Sequence, residues 1–155
     1  SPLLGILRQY EIIYVVASEE DVIGVRTNVR HERVYLYPTQ ASPEQAQDLF
    51  RLVSHEINSI YKTPRIYNTF LHNCANELTR LVEEMSDIKF PITWKTILPG
   101  YFDEVLYDLK IIDTEKNFEL TKKDHLIHNG LVDKNSPTFK EDLRKSLPKN
   151  RIQSE

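Results

Sequence analysis

The chain has 155 residues, 40% of them apolar, and a formal net charge of -3 from 20 Lys and Arg against 23 Asp and Glu. That size suits one compact domain, and the weak charge calls for no nucleic acid and contains no block that would make an acidic or basic arm. A single cysteine excludes an internal disulfide and a cysteine-rich metal site, and no stretch reaches the roughly 18 apolar residues needed to span a bilayer.

The chain opens without an initiator methionine at Ser1-Pro2-Leu3-Leu4-Gly5 and carries no signal-peptide pattern, which fits a processed product or a piece of a longer protein. Tyr10 to Ala17 is nearly continuous in β-branched and aromatic residues and predicts a central or two-sided strand. Ser18 to Asp21 is a polar turn or a short helical start. Val22 to Val29 leaves strand and helix open: Val22, Val25 and Val29 fit a helical stripe, while β-branching favours a strand. Arg30-His31-Glu32 reads as exposed. Arg33 to Tyr37 is a short strand ended by Pro38.

The clearest helix follows. Ser42 suits the N-cap, Pro43 the first helical position and Gln45 the third, which closes a capping box. Ala46, Leu49, Phe50, Val53, Ile57 and Ile60 make one apolar stripe, so the helix runs from about Pro43 to Tyr61 and stops before Pro64. Tyr67 to His72 is an aromatic connector. Asn73 is a candidate cap for a second helix with Cys74, Leu78, Leu81 and Met85 along one face, and Lys89 to Pro91 breaks that pattern.

Pro99-Gly100 precedes a third helix carrying Phe102, Val105, Leu106 and Leu109 on one stripe. Beyond Ile112 the apolar density falls. Thr121 is a candidate cap for a short helix through Leu126, and Phe139, Leu143 and Leu147 are spaced to dock one more. The expectation is an α+β fold, a small antiparallel sheet packed against several helices. It forms a single domain over 1–147, with a core at 5–113, a looser helical part at 114–147 and a frayed tail at 148–155.

Cys74 is the candidate for chemistry. A helix N-terminus offers unpaired N–H groups and a dipole that favour a thiolate, and the same groups can hold an oxyanion. A lone cysteine on the apolar edge of a helix is more often a small buried hydrophobe. A nucleophile needs a base in reach, and His72 is close but points into the connector. His31 and His55 read as solvated, and so do His125 and His128, whose spacing of three leaves a metal pair as the alternative. No HExxH, Gly-rich phosphate loop or zinc-like spacing is present, and no cofactor is expected. Tyr35, Tyr37, Tyr61, Tyr67, Phe70 and Tyr101 line a cleft beside Cys74 or edge the core; Arg26, Arg30 and Arg33 hold an anion or form a solvated face.

Three pieces carry a resemblance. They are Gly5 to Val16 with Arg26-Thr27-Asn28 and Val34-Tyr35-Leu36-Tyr37-Pro38 after it, Pro64 to Leu78 centred on Asn73-Cys74, and Leu98 to Leu109. Together they resemble the Lnb N-terminal periplasmic domain family, over Gly5 to about Asp113. The resemblance implies a truncated papain-like fold in the neighbourhood of the NlpC/P60 group, located on the periplasmic side of the bacterial envelope or membrane-anchored in a full-length protein. It implies Cys74 as nucleophile and Asn73 as the residue that caps and orients it. The family's histidine belongs to a segment upstream of Gly5, so the chain is expected to lack the N-terminal part of the domain and its base.

The function so implied is a cysteine-dependent amide or ester hydrolase or acyltransferase, inactive as this fragment, acting on a peptide, glycan or lipid-linked envelope substrate. The alternative is a non-catalytic envelope domain that binds its partner through Tyr67, Phe70 and His72, with Cys74 as packing. A missing strand would expose a sheet edge and invite a homo-oligomer through it.

Overall fold

The structure is a computed structural model. It describes residues 11–65, 74–128 and 130–148, the side chains of Cys74 and Pro99 excepted. The chain divides into two compact units that interleave in sequence. The first takes the chain up to Tyr14 and Gln40–Ile111; the second takes Val15–Thr39 and the chain from Ile112 onward.

The first unit is helical. α2 (Pro43–Lys62) starts as its sequence dictates. The Gln45 N–H donates to Ser42 Oγ at 3.2 Å, and the Ser42 N–H donates to Gln45 Oε1 at 2.9 Å. Both bonds satisfy backbone donors that a helix start leaves free. α3 (Cys74–Met85) packs against α2 and buries Ala75 and Leu81. Two short helices follow, α4 (Trp94–Ile97) and α5 (Phe102–Asp108), joined by a single 3-10 turn at Pro99–Tyr101. Val105 is buried and Phe90 stacks on Phe102 with centroids 5.9 Å apart.

The second unit is mixed. α1 (Glu20–Val29) is wound as a π-helix, so Val22–Val29 resolves as helix. β1 (Val34–Tyr35) pairs antiparallel with β2 (Leu126–Ile127), Val34 opposite Ile127 and Tyr35 opposite Leu126. α6 (Phe118–Asp124) leads into β2, and α7 (Phe139–Lys145) closes the unit. Ile23, Ile127, Val132, Phe139 and Leu143 form one buried cluster, with Val34, Leu36 and Leu147 packed on it. Phe139 and Leu143 dock from α7 as their spacing predicts, while Leu147 packs on the cluster from beyond the helix end at Lys145.

The architecture is α+β, a two-stranded antiparallel sheet packed against helices. Four expectations change. Within Tyr10–Ala17 the described residues from Ile12 onward form no strand: Ile12 is buried, its N–H donating to the Arg65 carbonyl at 2.9 Å, while Ile13, Val15 and Val16 are exposed. β-propensity describes a residue's fit to a pleated surface, and among the described residues no neighbouring strand covers these side chains. The cap of α6 is Asn117, whose Oδ1 accepts from the Leu120 N–H at 3.0 Å; Thr121 lies inside the helix, fully buried. Leu126 belongs to a strand, not a helix. α4 has no counterpart in the sequence reading, being too short to show a period. Residues 149–155, most of the expected frayed tail, lie outside the described residues.

Candidate functional site

α3 starts at Cys74, as the sequence reading places it. Asn73, His72, Phe70 and Tyr67 lie outside the described residues, as does the Cys74 side chain. What α3 brings together is a cluster of charge one turn further on. Glu77 and Arg80 on α3 meet Glu56 on α2 and Arg65 just beyond its end. Arg80 Nη2 lies 2.9 Å from Glu56 Oε2 and 3.8 Å from Glu77 Oε2. Arg65 Nη1 lies 3.3 Å from Glu77 Oε2, and its Nη2 pairs with Glu56 Oε1. Arg80 also reaches Glu84, at 3.4 Å.

Glu56 and Glu77 are buried, which two carboxylates tolerate only when paired. Two guanidinium groups balance their two charges. Beside them the Tyr14 hydroxyl is buried with no hydrogen-bond partner among the described residues. Burial raises the Tyr14 phenol above its ordinary value of 10.0; the negative charge of Glu77 adds to the rise, and Arg65 and Arg80 oppose it. The cluster joins α2 to α3 by ion pairs.

The described histidines do not assemble a catalytic pair. His31, His125 and His128 belong to the second unit, and His55 stands exposed on α2. His31 sits in a turn at φ 54. Among the described residues no group of three His, Cys, Asp or Glu could hold a metal ion. The hydrolase or acyltransferase reading, with its peptidase terms, is therefore corrected. The chain has one cysteine, the described residues put no base–orienter arrangement beside its helix, and α3 spends its buried carboxylate on ion pairs. The expected membrane association is corrected as well: among the described residues no helix is long and apolar enough to cross a membrane.

The arginine trio resolves into ordinary surface pairing. Arg26 bonds Glu32 at 2.8 Å and Arg30 lies 3.9 Å from the same carboxylate; Arg33 is exposed. Of the aromatic group, Tyr35 and Tyr37 stack in the second unit with centroids 6.1 Å apart, and Tyr61 protrudes from α2 in the first.

A cleft that the sequence reading missed lies in the first unit. It has a volume of about 260 Å³ and is walled by Pro91, Trp94, Val105 and Leu109, with Thr93, Lys95 and Asp108 supplying polar groups. Thr96 is buried within α4. Its hydroxyl accepts from the Thr93 N–H at 3.0 Å and donates back to the Thr93 carbonyl at 2.7 Å, which winds α4 tightly. Trp94 is 55% exposed and meets Tyr101 edge-on, centroids 4.9 Å apart. Ile92, 97% exposed, and Leu98 are exposed apolar residues that flank Trp94 in the chain. Lys95 pairs with Glu104 and lies 5.8 Å from the Trp94 ring centroid. Asp108 is exposed at the lip. Apolar exposure of this kind around a concavity marks interaction sites. The available signal was Trp94 itself, the only tryptophan in the chain, in an aperiodic run with Ile92 and Leu98.

Compared with known proteins, residues 1–100 match the family model described as the Lnb N-terminal periplasmic domain. No curated protein matches the chain, and no solved structure does. The family match takes in the chain from its first residue, ahead of the Gly5 at which the resemblance begins, and gives no support to the expectation that the domain's N-terminal part is missing. With no matching solved structure, the papain-like and NlpC/P60-like relationship has no support and is set aside.

Proposed function

From the premise that the chain belongs to the Lnb N-terminal periplasmic domain family, we propose that it is a non-catalytic binding domain of the periplasm that takes an envelope glycan at the Trp94 cleft. The observation that carries this reading is the exposed Trp94–Tyr101 pair beside a cleft whose lip carries the Asp108 carboxylate. An aromatic face covers the apolar C–H face of a sugar ring, and a carboxylate accepts hydrogen bonds from its hydroxyls. The cleft is smaller than the roughly 300–1,000 Å³ of sites that enclose a drug-sized ligand. It suits one ring of a chain that continues over Ile92 and Leu98.

Lys95 is neutralised by Glu104, so the charge left at the lip is that of Asp108, which disfavours anionic groups there. The Tyr67, Phe70 and His72 segment remains part of the proposal as a second contact surface on the same domain.

Trp94 is the chain's single tryptophan, so its fluorescence reports on this cleft alone. Titration with soluble glycan strands from cell wall is expected to shift and quench it saturably. Asp108→Asn should weaken binding about tenfold, the loss of one charge-assisted hydrogen bond. Saturation by stem peptides with no response to the glycan would move the ligand class to peptide; no response to either would remove the cleft as the binding surface.

A further inference from the structure

The second unit holds a separate cavity of about 180 Å³, lined by Leu36, Tyr37, His125, Arg144, Leu147 and Pro148. At roughly 30 Å³ per water that is room for about six waters, or for one small polar ligand. His125 is 5% exposed. Its Nδ1 lies 2.8 Å from the carbonyl oxygen of Thr121. A carbonyl only accepts, so Nδ1 carries the hydrogen and Nε2 is the lone-pair nitrogen of the neutral ring. Among the described residues Nε2 has no hydrogen-bond partner.

The Tyr37 ring lies against the imidazole, centroids 5.5 Å apart and planes 40° apart, and limits its rotation. His125 lines the cavity, and a ring nitrogen held in one orientation at a cavity wall is a group that a bound molecule can engage. Arg144 stands on the same wall. Its Nη2 donates to Glu19 Oε1 at 2.5 Å, and a guanidinium has five N–H donors, so donors remain for a second acceptor. Asp124, next to His125 in the chain, is already held by Lys116.

We propose that this cavity binds a small oxyanion, a carboxylate or phosphate group held between the Arg144 guanidinium and Nε2 of His125. As the anion enters, the imidazole takes one proton from solvent at Nε2 and donates it as a hydrogen bond. No other bond forms or breaks. Leu36 and Leu147 supply the apolar part of the wall, and both bonds to the anion are charge-assisted.

The test is a nitrogen-15 titration of the whole chain, following the His125 ring, with acetylglycine, its amide and inorganic phosphate. Acetylglycine is expected to move Nε2 saturably into the protonated range, and the amide is not. Arg144→Gln should weaken binding about tenfold, the loss of one charge-assisted contact. Glu19→Gln should tighten it, because it frees Arg144. His125→Asn, which keeps a donor for the Thr121 carbonyl, should abolish it. Arg144 is half-exposed, so its variant keeps the test valid even where the His125 variant fails to fold. Saturation by phosphate alone supports the oxyanion site and assigns its source. No saturable response to either anion, an equal response to the amide, or unchanged affinity in both Arg144→Gln and Glu19→Gln overturns the proposal.

Discussion

Arg80 on α3 lies 2.9 Å from Glu56 on α2, and this contact joins the two longest helices of the first unit through a carboxylate that is buried while its arginine is half-exposed. α2 buries Glu56 and no other residue. The apolar stripe of α2 is only half-covered along Leu49, Val53, Ile57 and Ile60, and Phe50 is exposed. The specific geometry between α2 and α3 therefore depends on the ion-pair cluster to an unusual degree, since apolar contact alone tolerates sliding.

Glu56→Ala should lower the unfolding free energy by about 2 kcal/mol, less than the roughly 3–5 kcal/mol for breaking a fully buried pair because Arg80 reaches water. Urea unfolding measures it. The exposed pair Arg51–Asp48 is the control, with an expected loss below about 0.5 kcal/mol for Arg51→Ala. A double-mutant cycle of Glu56 and Arg80 should give a coupling of about 1 kcal/mol; additive losses would show that the contact does not hold the helices.

Tyr14 sets the alkaline limit. Its phenol is raised in the folded state, chiefly by burial. Above pH 10 the unfolded chain releases this proton while the folded one keeps it, so stability falls with rising pH until the folded group also ionises. Below pH 10 both states hold the proton, so the group adds no pH dependence there. Tyr14→Phe should flatten the fall above pH 10. It should also add about 1 kcal/mol at neutral pH, because it removes a buried hydroxyl with no partner. An unchanged alkaline limb would assign the loss to other groups.

Gly24 is required by close packing. A Cβ built there would lie 2.6 Å from the Lys134 Cβ and 3.4 Å from the Phe139 ring. Gly24→Ala should cost about 1–3 kcal/mol despite the gain of about 1 kcal/mol in helix propensity. Adding Lys134→Gly should recover much of that loss. Thermal unfolding of the single and double variants decides it: no recovery would mean that the strain lies elsewhere.

Leu143 and Phe139 anchor the second unit, at 0% and 1% exposure. Leu143→Ala should cost about 2–5 kcal/mol through lost burial and the cavity left behind. Hydrogen exchange should show lower protection at Leu36, whose N–H donates to the His125 carbonyl at 3.0 Å within the same unit. Protection unchanged at Leu36 would show that the core and the sheet open independently.

Part of the candidate chemistry was legible in order but not in consequence. The helix start at Cys74 follows from its flanking pattern, yet the sequence offers no way to see that Glu77 and Arg80 in the same helix are committed to Glu56 and Arg65. Glu56 looks like a residue on the polar side of α2, and only the approach of α3 buries it. The Trp94 cleft was illegible for a related reason. Its walls come from Pro91, from α4 and from α5, and a cleft has no period.

The amino-acid sequence by itself determined α2. Ser42, Pro43 and Gln45 satisfy the helix start through bonds spanning three residues, and Pro64 limits its end, so nothing distant is needed. It also determined that Phe139 and Leu143 share a face of α7, because helical spacing is a local property. Only the tertiary structure decided that 20–29 winds as a π-helix against Lys134, that Leu126 and Ile127 pair with Val34 and Tyr35, and that Ile13, Val15 and Val16 lie exposed. Pairing and burial depend on partners up to a hundred residues away. A β-branched run states a preference for being covered, but what covers it is settled by the rest of the chain.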